Sequence, residues 1–296
     1  MQHVYNQRVQ FNLPHLIQRV AAVSARASGL LVAGERISHL HRRLEGFIGT
    51  HGIVMLEALL RKSEQGDSKS IQALRNALSV NYTYFWRDPD HFQYLMEHLM
   101  TRLRVLSAAP AKPHLRLLSA GCASGEESWS MAMAAAEAVR LSKINATIDI
   151  VAVDIDTAAI EDAERCVYNE EVVKQLPAHL RSRYLRPVMH RHTTHWQVAD
   201  ELRSMVRFHE VDLLAQHWPC CEGGERFDAI FCRNVIIYIS DSARIHIFEK
   251  FSTLLRPDGL MILSRVEGGI NHAEPYFKPC GDSVYMLGAA ARRTVN

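Results

Sequence analysis

The sequence predicts an α/β fold in which an all-helical N-terminal domain precedes a parallel sheet that carries a small inserted β-subdomain. Three observations lead there. Residues 10–110 show helical periodicity with almost no strand signal. From residue 115 onward, short apolar runs alternate with helical stretches, the pattern of strands joined by crossover helices. A longer piece, 168–216, exceeds what simple alternation requires and reads as an insertion with a hairpin near 186–198.

In chain order, helices are predicted over 13–26, 36–50, 54–66, 68–78 and 90–107. Asp88-Pro89-Asp90 opens the last of these, because proline suits a first helical turn and acidic groups suit the positive end of the helix dipole. Pro110 and Pro113 punctuate a short linker. Then follow a strand over 115–119, a helix over 126–142, a strand over 147–153 and a helix over 158–166. The chain rejoins the sheet at 205–214 and continues as strand 227–232, helix 242–255 and strands 260–264 and 283–287. The expected boundaries are a helical domain over 1–80, an active-site segment with helix and linker over 81–112, and an α/β domain over 113–296. The insertion occupies about 168–207 of the last.

With 296 residues, 48% of them hydrophobic, the chain can bury one large core and a small one. Lys and Arg number 34 against 32 Asp and Glu, so a net charge of +2 offers no general attraction for nucleic acid or membrane. The first residues lack the apolar core of a secretory signal and no later run spans a bilayer, so a cytoplasmic location is expected. Six cysteines without a CxxC pair read as reduced packing thiols. A redox role for Cys220-Cys221 would require a strained vicinal disulfide.

The run Ala120-Gly121-Cys122-Ala123-Ser124-Gly125 follows a strand and precedes a helix, where small residues let backbone amides approach a ligand. It lacks the G-x-G-x-x-G of dinucleotide sites, and Glu126 and Glu127 would repel a pyrophosphate. They suit a cofactor with positive charge, and the ammonium and sulfonium of S-adenosylmethionine fit that electrostatics better than NAD does. Glu127 is the cofactor candidate, whereas Glu126 reads as a complement to the helix dipole. Asp154, at the tip of the second strand, is placed for ribose hydroxyls. Asp156 reads instead as a helix cap. At the fourth strand, Phe227–Phe231 reads as buried on both faces despite Asp228, and Arg233 and Asn234 stand at its ligand-binding carboxyl end.

Three ordered motifs carry a resemblance. Asn81-Tyr82-Thr83-Tyr84-Phe85-Trp86-Arg87, Ala120–Glu127 and Phe231-Cys232-Arg233-Asn234-Val235-Ile236-Ile237-Tyr238 resemble the CheR-type chemotaxis receptor methyltransferases, over about 75–270. The resemblance implies a Rossmann-like class I methyltransferase sheet that moves a methyl group from S-adenosylmethionine to glutamate side chains of methyl-accepting chemoreceptors, leaving S-adenosylhomocysteine. It implies that Asn81, Thr83, Arg87, Gly121, Glu127, Asp154, Asp212, Leu213, Asn234 and Val235 meet the cofactor, and that Arg87 and Tyr238 lie nearest the methyl. It further implies that the insertion docks a receptor or its C-terminal tail, and that a basic N-terminal helix with Arg42-Arg43 faces the acidic methylation helices. Tyr82, Asp212 and the loop Ser264-Arg265-Val266-Glu267 depart from the family pattern.

The chemistry is self-consistent. A glutamate with a pKa near 4.3 is already ionised at neutral pH, so no general base is required. Arg87 would aim the carboxylate rather than neutralise it, since a full salt bridge would stabilise the ground state more than the transition state. Two other readings stay open at this level: transfer to a different protein carboxylate, and a cofactor-binding adaptor without turnover. His190-Arg191-His192-Thr193-Thr194-His195 lacks zinc-like spacing and reads as a solvated hairpin rim, and no metal is expected.

Overall fold

The computed structural model describes residues 13–28, 35–67, 69–71, 73–74, 83–190, 193–221, 225–267 and 276–288. The chain divides into two compact units, 1–80 and 81–296.

The first unit contains helices Leu13–Ser28, Glu35–His51 and Ile53–Glu64. Leu16, Val20 and Val23 recur at helical spacing and pack with Leu44, Leu56, Leu60 and Leu74 as one buried cluster. Gly52, with φ 81°, lets the second helix stop and the third begin without an intervening loop. Arg19 closes the outer surface with a two-pronged contact to Glu64 at 2.7 and 2.9 Å. Of the predicted helix at 68–78, the described residues 69–71 and 73–74 are helical. The side chains of Arg42 and Arg43 lie outside the described residues.

The second unit is built on a seven-stranded sheet. Its strands are β1 (His114–Ala120), β2 (Thr147–Asp154), β6 (Val206–Glu210), β7 (Phe227–Phe231), β8 (Leu255–Ile262), β9 (Phe277–Gly281) and β10 (Val284–Leu287). They lie in the order β6-β2-β1-β7-β8-β10-β9. The first five are parallel, with Leu117 opposite Ile150 of β2 and Ala229 of β7. The expectation of a parallel sheet needs correction at one edge, where β10 runs antiparallel between β8 and β9. Strands β9 and β10 are joined by a tight turn at Asp282-Ser283, which can only return the chain in the opposite direction. The arrangement is a Rossmann-like α/β fold.

The helix Glu126–Ser142 begins and ends where predicted. It is buried almost all round, which its small Ala132, Ala134, Ala135 and Ala138 permit. The helix Pro89–Leu106 packs across it with Phe92, Leu95, Leu99 and Leu103 inward, at spacings of three and four. The insertion forms a separate antiparallel sheet of β3 (Val167–Asn169), β5 (Thr193–Val198) and β4 (Leu185–His190), in that spatial order. Strand β8 starts earlier than expected, at Leu255, and holds Pro257 and Gly259 at an irregularity in its pairing with β7.

All of β7 is buried, Asp228 included. Its carboxylate accepts from the Arg116 amide at 2.8 Å and Arg102 Nε at 3.1 Å, with Arg256 Nε 3.2 Å away. Burial pushes this carboxyl up, and the Arg116 amide and the guanidinium groups of Arg256 and Arg102 draw it back. The network ties the start of β7 to β1, β8 and the helix Pro89–Leu106. Among the described residues no helix is long and apolar enough to cross a membrane.

Because removing one partner of a buried ionic network strands the others, Asp228→Ala should lower the unfolding free energy by about 3–5 kcal/mol. The measurement is a shifted denaturant midpoint at unchanged slope.

Candidate active site

The carboxyl ends of β1, β2, β6, β7 and β8 converge on one edge of the sheet, where the sequence places its candidate residues. After β1, Gly121 and Gly125 adopt φ of 83° and 93°, and Ala123 between them adopts 47°. The amides of Gly121 and Cys122 both donate to the Val153 carbonyl, at 2.8 and 3.0 Å, binding this loop to the end of β2. A Cβ on Gly121 would lie 2.2 Å from Val235 Cγ2, so only glycine permits the two segments to touch. At Gly125 a Cβ would meet Ala163 at 2.8 Å and the Tyr168 hydroxyl at 3.0 Å. That hydroxyl donates to the Ser124 carbonyl at 2.7 Å and accepts from Trp129 Nε1 at 2.8 Å. Tyr168 belongs to β3, so a strand of the insertion braces the loop.

Asp154 ends β2 and is nearly buried. One of its oxygens accepts from the Ala123 amide at 2.8 Å and the other from the Asp156 amide at 3.0 Å. Burial raises its carboxyl, and these two amides oppose the rise. A carboxylate has about four acceptor sites, so Asp154 keeps capacity for two hydroxyl donors. Asp156 caps the helix Thr157–Arg165, accepting from the amides of Ala158 and Ala159 at 3.0 and 3.3 Å. The Val211 amide donates to the Asp154 carbonyl at 2.8 Å, which brings the end of β6 alongside. There Asp212 accepts from the Leu214 amide at 2.9 Å in an Asx turn, and Leu213 is buried.

The segment before the helix Pro89–Leu106 is folded sharply. Phe85 is fully buried, edge-on to the Tyr168 ring at 4.9 Å, and its amide donates to Val172. Trp86 and Asp88 both hold left-handed backbone, φ 61° and 55°, on either side of Arg87, which costs roughly 1–2 kcal/mol per residue. The Trp86 amide donates to Ser130 Oγ at 2.9 Å, and its ring stacks on Phe92 at 4.7 Å. Asp88 stands at the helix entry but makes no capping hydrogen bond there. Thr83 and Arg87 are half-buried, and the Arg87 guanidinium lies 5.8 Å from the Tyr84 ring centre. Asn81 falls outside the described residues.

Arg233 explains where the Asp88 carboxylate goes. Its side chain, 2% exposed, pairs with Asp88, donates to the Arg87 carbonyl at 2.8 Å and reaches Glu127 at 3.4 Å. The rings of Phe92 and Phe231 flank it at 5.6 and 6.0 Å. Glu127 also accepts from Ser119 Oγ at 2.9 Å. Burial raises the Glu127 carboxyl, while Arg233, the Ser119 hydroxyl and the Arg87 charge pull it down. Glu126 is engaged locally, accepting from Ser124 Oγ at 2.8 Å, and burial raises its carboxyl too.

After β7, Asn234 adopts φ 61° and Val235 leads into the short 3-10 turn Ile236–Tyr238. The Tyr238 side chain is outside the described residues. Glu267, fully buried, accepts from the amides of Asn234 at 2.8 Å and Ile237 at 3.2 Å. It also accepts from the amide and hydroxyl of Ser264 at 3.0 and 2.6 Å. The sequence puts Arg233 at the ligand-binding end of the strand without revealing its partners, and gives no role to Tyr168 or Glu267; a cation at the tip of a buried strand is the signal that Arg233 needs one.

A family model described as "CheR methyltransferase, SAM binding domain" matches residues 81–286. The chain belongs to the CheR family. Its relatives include "Chemotaxis protein methyltransferase 2" of Pseudomonas aeruginosa, 35% identical over 72% of each chain. "Chemotaxis protein methyltransferase" of Escherichia coli is 30% identical over 91% of this chain and 90% of its own. The protein of that name from Borreliella burgdorferi is 31% identical over 66% of each. This CheR chain is thus an S-adenosylmethionine-dependent methyltransferase. The residues suit that cofactor: Asp154 has acceptor capacity for ribose hydroxyls, and two partly buried carboxylates favour a ligand bearing cationic groups.

Two outcomes test this CheR site. Gly121→Ala should weaken S-adenosylhomocysteine binding by about tenfold or more in calorimetry, and Val235→Ala in the same chain should restore part of it. Glu126→Gln removes a charge that burial penalises. A raised carboxyl contributes stability that is present below its unfolded pKa and fades as pH rises through the folded value. The thermal midpoint of Glu126→Gln should therefore gain on the parent at pH 7, with the gain shrinking as pH falls into the ordinary carboxylate range.

Proposed function

We propose that this CheR methyltransferase esterifies glutamate side chains on the cytoplasmic helices of chemoreceptors. The observation that carries the reading is the left-handed turn Trp86–Asp88, pinned by Arg233, which holds Arg87 near enough for its charge to lower the Glu127 carboxyl. A cation held there by its backbone suits an anionic acceptor. When bound, S-adenosylmethionine supplies an electrophilic methyl group. The acceptor carboxylate oxygen forms the new C–O bond, the C–S bond breaks with its electron pair going to sulfur, and no proton moves. Charge is lost on both reactants, so a dry site favours the transition state over the separated ions.

In this reading Arg87 orients the incoming carboxylate rather than neutralising it, since a tight ion pair would stabilise the ground state more than the transition state. Asp154 would hold the ribose, Gly121 and Val235 would shape the floor, and Asn81, Thr83, Asp212, Leu213 and Asn234 would meet the cofactor. Tyr238 directs the acceptor with a neutral hydrogen bond. The three-stranded sheet of β3, β5 and β4 leaves β4 as an edge strand to which an extended receptor tail could add. The helical unit 1–80 would meet acidic receptor helices, and the enzyme would act in the cytoplasm.

Transfer of labelled methyl to receptor membranes, with base-labile product, is the direct assay. Arg87→Ala should lose about a hundredfold or more in kcat while S-adenosylhomocysteine affinity falls much less. Full methylation rates in that variant would refute the assignment. Tyr238→Phe should lose about tenfold in kcat with little change in KM for the cofactor, read in the same assay.

A further inference from the structure

The peptide unit that joins Ile236 to Ile237 is held on both sides by charged groups. Glu267 Oε1 accepts its N–H at 3.2 Å, and Arg244 Nε donates to its carbonyl at 3.0 Å. The two come from different elements, the loop after β8 and the helix Asp241–Leu254. Glu267 is fully buried and, among the described residues, forms no ion pair; neutral donors alone satisfy it. A buried carboxylate without a counter-ion is costly unless every acceptor site is used, so its persistence marks a position where geometry is being enforced. Arg244 also hydrogen-bonds Asp241 at 3.1 Å, which fixes its approach.

We infer that Glu267 and Arg244 are positioning residues that set the orientation of the Ile236–Tyr238 turn, and through it the acceptor side of the site, separately from cofactor binding. The inference rests on the proposed role of Tyr238. The division of labour follows from which oxygen does what. Glu267 Oε2 holds Asn234 and Ser264, on the cofactor side, whereas Oε1 alone reaches Ile237. Glu267→Gln keeps one oxygen, which the three donors at the Oε2 position favour. The amide nitrogen then faces the Ile237 N–H, donor against donor, and the turn loses its grip while Asn234 keeps its own. Arg244→Met releases the same peptide unit from the opposite side.

The test uses the full-length enzyme with receptor membranes as acceptor and S-adenosylhomocysteine binding by calorimetry. Glu267→Gln is expected to lose about tenfold or more in kcat, while cofactor KM and S-adenosylhomocysteine affinity change less than about threefold. Arg244→Met should show the same split, and the double variant should lose little more than the worse single, because both act through one peptide unit. Affinity falling in proportion to kcat, unchanged kcat, or losses that multiply in the double variant would each overturn the inference. Should Glu267→Gln fail to fold by circular dichroism, the kcat-against-affinity split in Arg244→Met decides alone. A fully active Tyr238→Phe would remove the role of Tyr238 and this inference with it. An impaired Tyr238→Phe beside a fully active Glu267→Gln overturns the inference only.

Discussion

A buried guanidinium organises this site. Arg233 sits at the tip of β7 with almost no access to water, and transfer of such a charge from solvent costs several kcal/mol before pairing. Asp88, Glu127 and the Arg87 carbonyl offset that cost, and the faces of Phe92 and Phe231 fill what remains. These partners belong to three segments. The turn that presents Arg87, the first turn of the helix Glu126–Ser142 and the end of β7 are therefore positioned by one side chain. The left-handed residues around Arg87 would be poor choices in isolation, and they persist because Asp88 and the Arg87 carbonyl are both claimed by Arg233.

The opposite end of β7 repeats the principle with the sign reversed. There a buried carboxylate, Asp228, meets the guanidinium groups of Arg102 and Arg256 and the Arg116 amide. The strand is thus anchored by an anion at its start and a cation at its finish, with only apolar side chains between. The start serves stability. In the proposed function the finish serves chemistry, because it fixes the turn that carries Arg87.

Much of the fold is legible in the sequence because the α/β unit follows local rules. The helix Glu126–Ser142 is bracketed by glycine and a basic last turn, and β1, β2 and β7 are predominantly apolar runs, each interrupted by a charged residue, Arg116, Asp149 and Asp228. Strand β9 is hidden, since Phe277-Lys278-Pro279-Cys280-Gly281 has neither alternation nor β propensity and is held only by pairing with β10. The short β3 is set by its register with β5, not by its own three residues. At the site, glycines and strand-tip acids can be read locally. The partners of Arg233 and Tyr168 cannot, because they lie far along the chain: Arg233 and Arg87 are separated by 146 residues, and Tyr168 and Ser124 by 44. The departure at Ser264-Arg265-Val266-Glu267 suggests an altered acceptor side, yet its last residue holds the Asn234 turn.

That sequence separation has a consequence for how the enzyme comes into being. A chain emerging from the ribosome completes β1, its loop and β2 early, so Asp154 and the amides that hold it are present by about residue 156. Arg87 has by then been outside for some time, but the strained turn around it has nothing to hold it until Arg233 arrives, and the Asn234 turn waits further for Glu267. The segments around the β1 loop and Asp154 can thus come together early, whereas the turns at Arg87 and Asn234 are pinned only once nearly the whole α/β unit exists.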